Sequence, residues 1–151
     1  MIFARLFGSR SELRQVAALP LMRAPDGTSW LVGLATSRES RRWIIPKGWP
    51  ESGMPPHVAA ANEAREEAGL LGRMEERPIG HYSYRKRLHL LASVVCVVDV
   101  YVLHVTERLE SWPEKAERSV AFVTIEEAAQ RVEEEELADL FRRLPVLIEA
   151  A

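Results

Sequence analysis

Residues 46–70 read PKGWPESGMPPHVAAANEAREEAGL, a glycine- and proline-rich loop followed by a segment of helical composition. Pro55 and Pro56 predict the start of a helix, because the fixed φ of proline suits the first helical turn. Residues 57–68 contain no glycine or proline, and alanine recurs among them, which favours a helix. Gly69 predicts the end of this helix, since glycine readily adopts the left-handed conformation found after many helices.

The predicted helix carries three glutamates, which the helical period of about 100° per residue brings to one side. These are Glu63, Glu66 and Glu67. The nearly opposite, apolar side consists of Val58, Ala61, Ala64 and Ala68. Like charges at this spacing repel each other, so a cation among them would relieve the repulsion. Because Mg²⁺ binds carboxylates together with substrate phosphates, the pattern indicates a metal site, with a solvated helix face as the alternative.

The remaining chain is interpreted as strands and two further helices. Apolar runs predict strands at residues 15–23, 30–37, 43–45, 79–88, 90–105 and 119–124, and Pro20 indicates an edge position or a bulge in the first. Residues 71–77 are expected to form a connector, residues 107–118 a polar loop, and Thr124 the cap of a helix that contains Glu127. A last helix follows the acidic run 133–136. The order β-β-β-α-β-β-β-α-α predicts an α/β (α+β) fold, with a mixed sheet flanked by helices.

Composition narrows the class of protein. A length of 151 residues predicts one domain over residues 1–151, and a net charge of −2 gives no basic field for a nucleic acid polymer. Cys96 is the only cysteine, which excludes an intramolecular disulfide, and its apolar surroundings predict a buried strand residue. The N-terminal residues 1–12 are too short an apolar run for a signal peptide or a membrane span. We expect an N-terminal arm or short strand, a cytoplasmic location and no membrane partner.

The central stretch resembles the Nudix hydrolase box, in which a glycine precedes a glutamate, then Arg-Glu, Glu-Glu and a second glycine at fixed spacing. The matching positions are Gly48, Glu63, Ala64, Glu66, Glu67, Gly69 and Leu70. Two positions differ, because the box glutamate falls on Met54 and the box arginine on Asn62. In the family this pair braces the loop against the helix. Residues 111–129 also resemble this family, so the resemblance covers residues 16–144. These segments look like the bacterial branch of the family that is related to diphosphoinositol polyphosphate and diadenosine polyphosphate hydrolases.

The resemblance implies an α/β/α sandwich that hydrolyses a pyrophosphate bond by attack of water at phosphorus. The implied substrate is a nucleoside diphosphate-linked or other highly phosphorylated small molecule, of the dinucleoside polyphosphate or inositol pyrophosphate type. The implied cofactor is Mg²⁺, with Mn²⁺ as an alternative, held by the carbonyl of Gly48 and by Glu66, Glu67 and Glu63, the last as ligand or base. A further acidic residue of a distal loop would assist, and Glu114 or Glu117 matches it.

Some expectations stay open at the level of sequence. Crowding of the three glutamates should raise the pKa of at least one of them by like-charge repulsion. Candidates for gripping substrate phosphates are the basic residues Lys47, Arg42, Arg85, Lys86 and Arg87. The cluster at 85–87, with His89, could equally be an ordinary exposed turn. Because Met54 and Asn62 replace the bracing pair, the alternative function is a catalytically impaired Nudix-fold module that binds a nucleotide or a protein partner. The oligomeric state is open.

Overall fold

A computed structural model describes residues 12–150, so the predicted N-terminal arm at residues 1–12 lies, except for Glu12, outside the described residues. The described chain forms eight strands, a short 3₁₀ turn at Lys115–Glu117 and three α-helices. The strands are β1 (Glu12–Arg23), β2 (Trp30–Thr36), β3 (Trp43–Ile44), β4 (Lys47–Gly48), β5 (Leu70–Met74), β6 (Gly80–His89), β7 (Ala92–Arg108) and β8 (Val120–Thr124). The helices are α1 (Pro56–Ala68), α2 (Ile125–Arg131) and α3 (Glu135–Ala150).

All eight strands belong to one mixed sheet whose centre is the parallel pair β1 and β7. On the edge that does not face β7, strand β1 pairs antiparallel with β4 and then, nearer its C-terminal end, with β2. Strand β2 continues the sheet to β3 and β8, while the long β7 pairs with β6 in its first half and β5 in its second. The predicted mixed sheet flanked by helices is therefore confirmed.

The sheet is covered on both faces, which explains why its central strands are almost continuously apolar. In β1, Ala17 and Leu19 point to a core shared with α2 and α3, whereas Val16 and Ala18 point to a second core under α1. The buried side chains alternate between the two cores, as a strand period of two requires. The α/β/α sandwich places α1 alone on one face of the sheet.

The expectation that Pro20 marks an edge strand or a bulge is wrong, because β1 lies in the middle of the sheet with a regular parallel register to β7. The backbone N–H of Ala18 donates to Pro46 O at 2.9 Å on the β4 side, so the nitrogen of Pro20, two residues on, points to the same side. There the partner of β1 changes from β4 to β2. Pro20 lies at this change of partner, where a missing backbone N–H breaks no hydrogen bond between strands.

Two further expectations differ from the structure. Residues 71–77 were expected to be a connector, but residues 70–74 form β5 and pair with the end of β7. Gly72 permits this pairing, because a Cβ there would lie 2.0 Å from His104 O. Residues 90 and 91, expected in the hydrophobic strand, form the exposed turn between β6 and β7. Both differences arise from long-range pairing that local composition does not reveal.

Two local predictions from the sequence, the cap of α2 and the burial of Cys96, are confirmed. Thr124 Oγ1 accepts the N–H of Glu127 at 3.1 Å and caps α2, as predicted. Cys96 is buried in β7, also as predicted. Across residues 12–150, no helix combines the length and the apolar character needed to cross a membrane.

Candidate active site

Helix α1 presents its three glutamates in a gradient of burial. The helix begins after Pro55 and ends at Gly69, whose φ of 66° is left-handed, as predicted. The side chain of Glu67 is 7% exposed, that of Glu63 is half-buried, and that of Glu66 is 43% exposed. The carboxylates therefore extend from the interior outward, and Glu67 is the innermost.

The predicted orientation of α1 is partly wrong. Ala64 and Ala68 are buried as expected, but Val58 is 37% exposed and Glu67, expected on the opposite face, belongs to the buried side. Ala59 and Ala60 take part in the packing instead. The helix has so many alanines that local hydrophobicity hardly distinguishes its sides, and the packed side is set by its fit to the sheet. As a result, the carboxylates face the preceding loop.

Gly48 allows the loop and the helix to approach each other. A Cβ at Gly48 would lie 2.4 Å from Cδ and Oε2 of Glu63, closer than two non-bonded atoms can approach. Beside it, the backbone N–H of Lys47 donates to Glu67 Oε1 at 3.4 Å. The backbone of β4 therefore contacts two of the three carboxylates, and a side chain at position 48 would displace the carboxylate of Glu63.

The carboxyls of Glu63 and Glu67 influence each other's pKa, and burial raises both values. Burial, together with the hydrogen bond between the two carboxyls, raises the pKa of Glu67 to about 8, although Arg118 acts in the opposite direction. Burial also raises the pKa of Glu63, and its hydrogen bond to Glu67 opposes that rise. Glu67 is therefore the carboxyl of the pair that favours the protonated form at neutral pH. The crowding predicted from the sequence contributes, but burial is the larger cause.

The loop at residues 109–118 closes the end of α1. The indole Nε1 of Trp112 donates to Glu67 O at 3.1 Å, and the N–H of Glu114 donates to Glu66 O at 3.0 Å. These donors satisfy carbonyls that a helix end leaves without partners. Gly69 lies directly beneath the indole, since a Cβ there would be 2.4 Å from Trp112 Cε3.

The same loop brings an arginine and a fourth carboxylate to the cluster. The guanidinium of Arg118 contacts Glu114 Oε1 at 2.7 Å, lies 3.9 Å from Glu67 Oε1 and donates to Thr36 O at 3.0 Å. The charge of Glu114 contributes to the raised pKa values of Glu63 and Glu67. Glu117 is exposed, and its backbone carbonyl accepts a hydrogen bond from Arg41 at 3.0 Å. Of the two acidic residues considered from the sequence, Glu114 is the one near the helix glutamates.

The oxygen donors of this cluster suit a hard cation such as Mg²⁺. Within residues 12–150, no three His, Cys, Asp or Glu side chains are already arranged as a set of metal ligands. Burial favours the protonated form of Glu67, and Glu66 lies 3.5 Å from the guanidinium of Arg65. A cation would take the place of that proton and of Arg65. The buried carboxyl pair against the open face of Gly48 fits such an exchange.

The cationic residues expected to bind phosphate do not gather around the glutamates. Lys47 pairs with Ala17, on the sheet face opposite to α1, and its ammonium lies 5.2 Å from the centre of the Tyr84 ring. Burial lowers the pKa of Lys47, with Glu67 opposing. Arg42 is bound to Glu134 at 2.8 Å. Neither side chain is free to meet a ligand at the carboxylates in this conformation.

The basic cluster of β6 is divided by the alternation of the strand. We call residues 47–55, which precede α1, the site loop. Lys86 extends towards this loop, with its ammonium 5.9 Å from the Trp49 ring. Arg85 donates to Ser93 Oγ at 3.1 Å and Arg87 donates to Leu90 O at 3.3 Å, so both serve their own hairpin. Lys86 is therefore the member of this cluster that lies beside the site loop.

Sequence reasoning missed a cavity of about 230 Å³ behind Arg118. It is lined by Ala68, Leu70, Arg108, Leu109, Trp112, Lys115, Arg118 and Val120. The Arg108 guanidinium stacks 4.6 Å from the Phe122 ring and the Lys115 ammonium lies 5.4 Å from the Trp112 ring. The signal in the sequence was a tryptophan among alternating charges at residues 107–118, which we had interpreted only as a polar loop.

Met54 and Asn62, the two departures from the box, contact each other. The amide Nδ2 of Asn62 donates to Met54 Sδ at 3.5 Å, and Met54 also packs against the core under α1. A bond to a thioether is weaker than an ion pair. The loop is therefore still joined to the helix at these positions, by a weaker neutral contact.

Comparison with known proteins agrees with the box motif. The model of the NUDIX domain matches residues 13–144. Over 90 residues the chain is 34% identical to Nudix hydrolase 12, mitochondrial, of Arabidopsis thaliana, covering 58% of this chain and 44% of that protein. It is 39% identical over 79 residues to diphosphoinositol polyphosphate phosphohydrolase 2 of Rattus norvegicus, covering 52% of this chain and 40% of that protein. The chain therefore spans less than half the length of these curated relatives.

Structural similarity extends over more of the chain. A binary complex of an Ap4A hydrolase of C. elegans matches with a TM-score of 0.67 at 16% identity, covering 92% of this chain and 99% of that chain. At this level of identity the match concerns the fold alone.

Proposed function

The chain belongs to the NUDIX domain family, and from this premise we propose that it is a Mg²⁺-dependent hydrolase of a pyrophosphate bond in a highly phosphorylated small molecule. The observation that carries the proposal is the close approach of Lys47 and Gly48 in β4 to the carboxylates of Glu63 and Glu67 on α1. The substrate types we propose are dinucleoside polyphosphates and inositol pyrophosphates. Relatives named for both, a diphosphoinositol polyphosphate phosphohydrolase and an Ap4A hydrolase, support this choice.

Each glutamate has a proposed role. Glu66 and Glu67 act as metal ligands, together with the carbonyl of Gly48, and Glu63 acts as ligand or general base. Mg²⁺, or Mn²⁺ in its place, supplies charge neutralisation at the pyrophosphate oxygens and lowers the pKa of the attacking water when it is bound. Glu67 must first release its proton, so the site is competent for cations only once that proton has left.

Other residues keep this arrangement in place. Trp112 holds the last turn of α1 through its bond to Glu67 O, which fixes where the Glu67 side chain begins. Arg118 is anchored by Glu114 and Thr36 O, so its positive charge stays near Glu67 without neutralising it completely. This cation favours the ionised form of Glu67 and eases the release of its proton.

Basic side chains are proposed to bind the phosphates of the substrate. Lys86, beside Trp49, is the best placed of the residues chosen from the sequence. Lys47, Arg42, Arg85 and Arg87 would each have to leave a present partner. Arg108 and Lys115 line the cavity behind Arg118, whose volume of about 230 Å³ suits a phosphate group better than a whole nucleotide. We add these two as candidates for a distal phosphate of the substrate.

A second candidate function has support from one contact. Because the bond between Asn62 and Met54 is weak, the site loop is held less firmly than an ion pair would hold it. A module that binds a nucleotide or a protein partner without turnover would tolerate this. We keep hydrolysis as the first proposal, because the buried carboxyl pair is unfavourable for stability and a binding module has no need of it.

The test is release of phosphate from a panel of dinucleoside polyphosphates, nucleoside diphosphate sugars, NADH and inositol pyrophosphates, with and without Mg²⁺. We expect turnover by the wild type only with the metal, and its loss in Glu67→Gln, which keeps the size of the side chain. Val146→Ser, an exposed change on α3, is the matched control and should keep full activity. Absence of turnover on the whole panel would reject hydrolysis and favour the binding module.

The location and assembly of the protein are proposed with less detail. A single, buried cysteine is compatible with a reducing compartment, so we propose the cytoplasm. The partner we propose is the phosphorylated small molecule itself, with no nucleic acid polymer. Oligomers are possible and would be measured by light scattering.

A further inference from the structure

The turn between β6 and β7 exposes apolar side chains at the tip of a hairpin. Leu90 and Leu91 form the two-residue turn and are 87% and 94% exposed, and Leu88 beside them is 40% exposed. Turns of this length usually contain glycine, asparagine or aspartate. Arg41 is the one non-glycine residue with positive φ among residues 12–150, so the turn imposes no special backbone conformation on Leu90 or Leu91. The leucines therefore have no evident role in folding.

The same hairpin is basic in a chain whose net charge is −2. Between Glu76 and Asp99 the sequence has no acidic residue, and Arg85, Arg87 and His89 surround the leucines. Arg85 donates to Ser93 Oγ and Arg87 donates to Leu90 O, while His89 Nδ1 accepts the N–H of Leu91, so all three partners are uncharged. Since none of these partners is negative, the positive charges of the two arginines are not neutralised within the hairpin.

The neighbouring strand does not neutralise the tip. At the start of β1, Glu12 pairs in register with Val95 of β7, below the turn, and its carboxylate lies 3.9 Å from Arg14. Lys86 points to the other side, towards Trp49 and the site loop. The tip therefore carries two highly exposed leucines in its turn, with the cationic side chains of Arg85 and Arg87 on the strand just before them.

We propose that this hairpin tip, residues 85–91, docks on the surface of an anionic phospholipid bilayer. The leucines would enter the boundary between headgroups and acyl chains, and Arg85 and Arg87 would meet the anionic headgroups. We commit to a bilayer, because exposed leucines beside arginines with uncharged partners complement an interface that combines acyl chains with anionic headgroups. The contact is peripheral and would leave the α1 glutamates free.

This proposal revises the expectation that the protein has no membrane partner. That expectation was based on the length of apolar segments. Segment length identifies a membrane-spanning helix, but it does not detect peripheral binding through a two-residue turn. In the sequence, Leu90 and Leu91 merge with the apolar run of β7. Their exposure becomes visible only when the strand pairing places His89 opposite Ala92 and leaves the two leucines outside the sheet.

The test is co-sedimentation of the full chain with vesicles of phosphatidylcholine containing phosphatidylserine, against vesicles of phosphatidylcholine alone. The test variant is Leu90→Ser with Leu91→Ser, and the matched control is Val146→Ser, which removes an apolar side chain that is 71% exposed on α3. Thermal unfolding of each protein verifies that it is folded. Phosphate release by the double variant should equal that of the wild type, because Leu90 and Leu91 are not among the residues proposed to bind substrate or metal.

We expect the wild type and the Val146→Ser control to sediment with the anionic vesicles at low salt. We expect the double variant to lose about tenfold or more of its vesicle affinity, since each leucine that enters the bilayer contributes through buried area. Added salt should also weaken binding, because it screens the arginines. Failure of the wild type to bind, equal binding to both vesicle types, or a self-associated wild type that the double variant converts to monomer would each overturn the proposal.

Discussion

Replacing Gly48 with alanine tests whether the contact between the site loop and Glu63 is functional. The new Cβ would lie 2.4 Å from Glu63 Cδ, whereas non-bonded carbons rest at about 3.5–4.0 Å, so the carboxylate must move by about 1 Å or more. A misplacement of about 1 Å at a reacting centre can reduce the rate by about 10²-fold. We expect kcat/KM for phosphate release to fall by about that factor, with weaker binding of Mg²⁺.

Stability should change little in this variant, because Glu63 can swing away at the end of a flexible side chain. The expected change in the free energy of unfolding is within about 1 kcal/mol, since alanine also reduces the entropy of the unfolded chain. Gly80→Ala is the contrasting control: its Cβ would lie 2.9 Å from Leu140 Cδ1 in the core under α3. That change should lower stability by about 1–3 kcal/mol and leave the kcat of the folded protein intact.

The assay is initial-rate phosphate release at saturating Mg²⁺, with urea denaturation of all three proteins. The reasoning is refuted if Gly48→Ala keeps the kcat/KM and the Mg²⁺ affinity of the wild type. It is also refuted if the variant loses activity only in proportion to its unfolded fraction, because the glycine would then serve folding and not the position of Glu63.

The remaining predictions concern single residues of the site. Without metal, the pKa of Glu67 is about 8 in the folded protein and 4.5 in the unfolded chain. Between these values the folded state binds the proton more tightly, so the free energy of unfolding should fall as pH rises, by at most about 1.4 kcal/mol per pH unit. Urea denaturation of Glu67→Gln should lack this slope; an equal slope in both proteins would assign it elsewhere. Gly69→Ala should cost about 2 kcal/mol or more, through its left-handed φ and its clash with Trp112; an unchanged urea midpoint would contradict the contact. A double-mutant cycle of Met54→Ala and Asn62→Ala should give a coupling energy of about 0.5 kcal/mol, and zero coupling would show that the brace is absent.

The bounds of α1 could be predicted from the sequence, because Pro55, Pro56 and Gly69 determine local conformation by themselves. Its orientation could not, since an alanine-rich helix has little difference in hydrophobicity around its circumference. The sheet that packs against Ala59, Ala60 and Ala64 decides the matter. Glu67 therefore proved to be buried rather than exposed, and this burial is the main cause of its raised pKa.

Long-range contacts account for the rest of what the sequence left open. Residues 70–74 have no strong strand composition and become β5 because the long β7 offers them an edge. The choice between Glu114 and Glu117 required the path of the loop, which turns Glu114 towards Arg118 and leaves Glu117 exposed. Arg42 was a reasonable phosphate ligand by residue type, but it meets Glu134 only in the folded chain.

The central claim is that the buried pair Glu63 and Glu67 exchanges a proton for a divalent cation. It is tested most directly by calorimetric titration of the metal-free protein with Mg²⁺ at pH 7, in buffers of different ionisation enthalpy. The account predicts binding by the wild type with release of about one proton, because the pKa of Glu67 is about 8, and little proton release in Glu67→Gln. Binding without proton release, or no binding at all by the wild type, would contradict it.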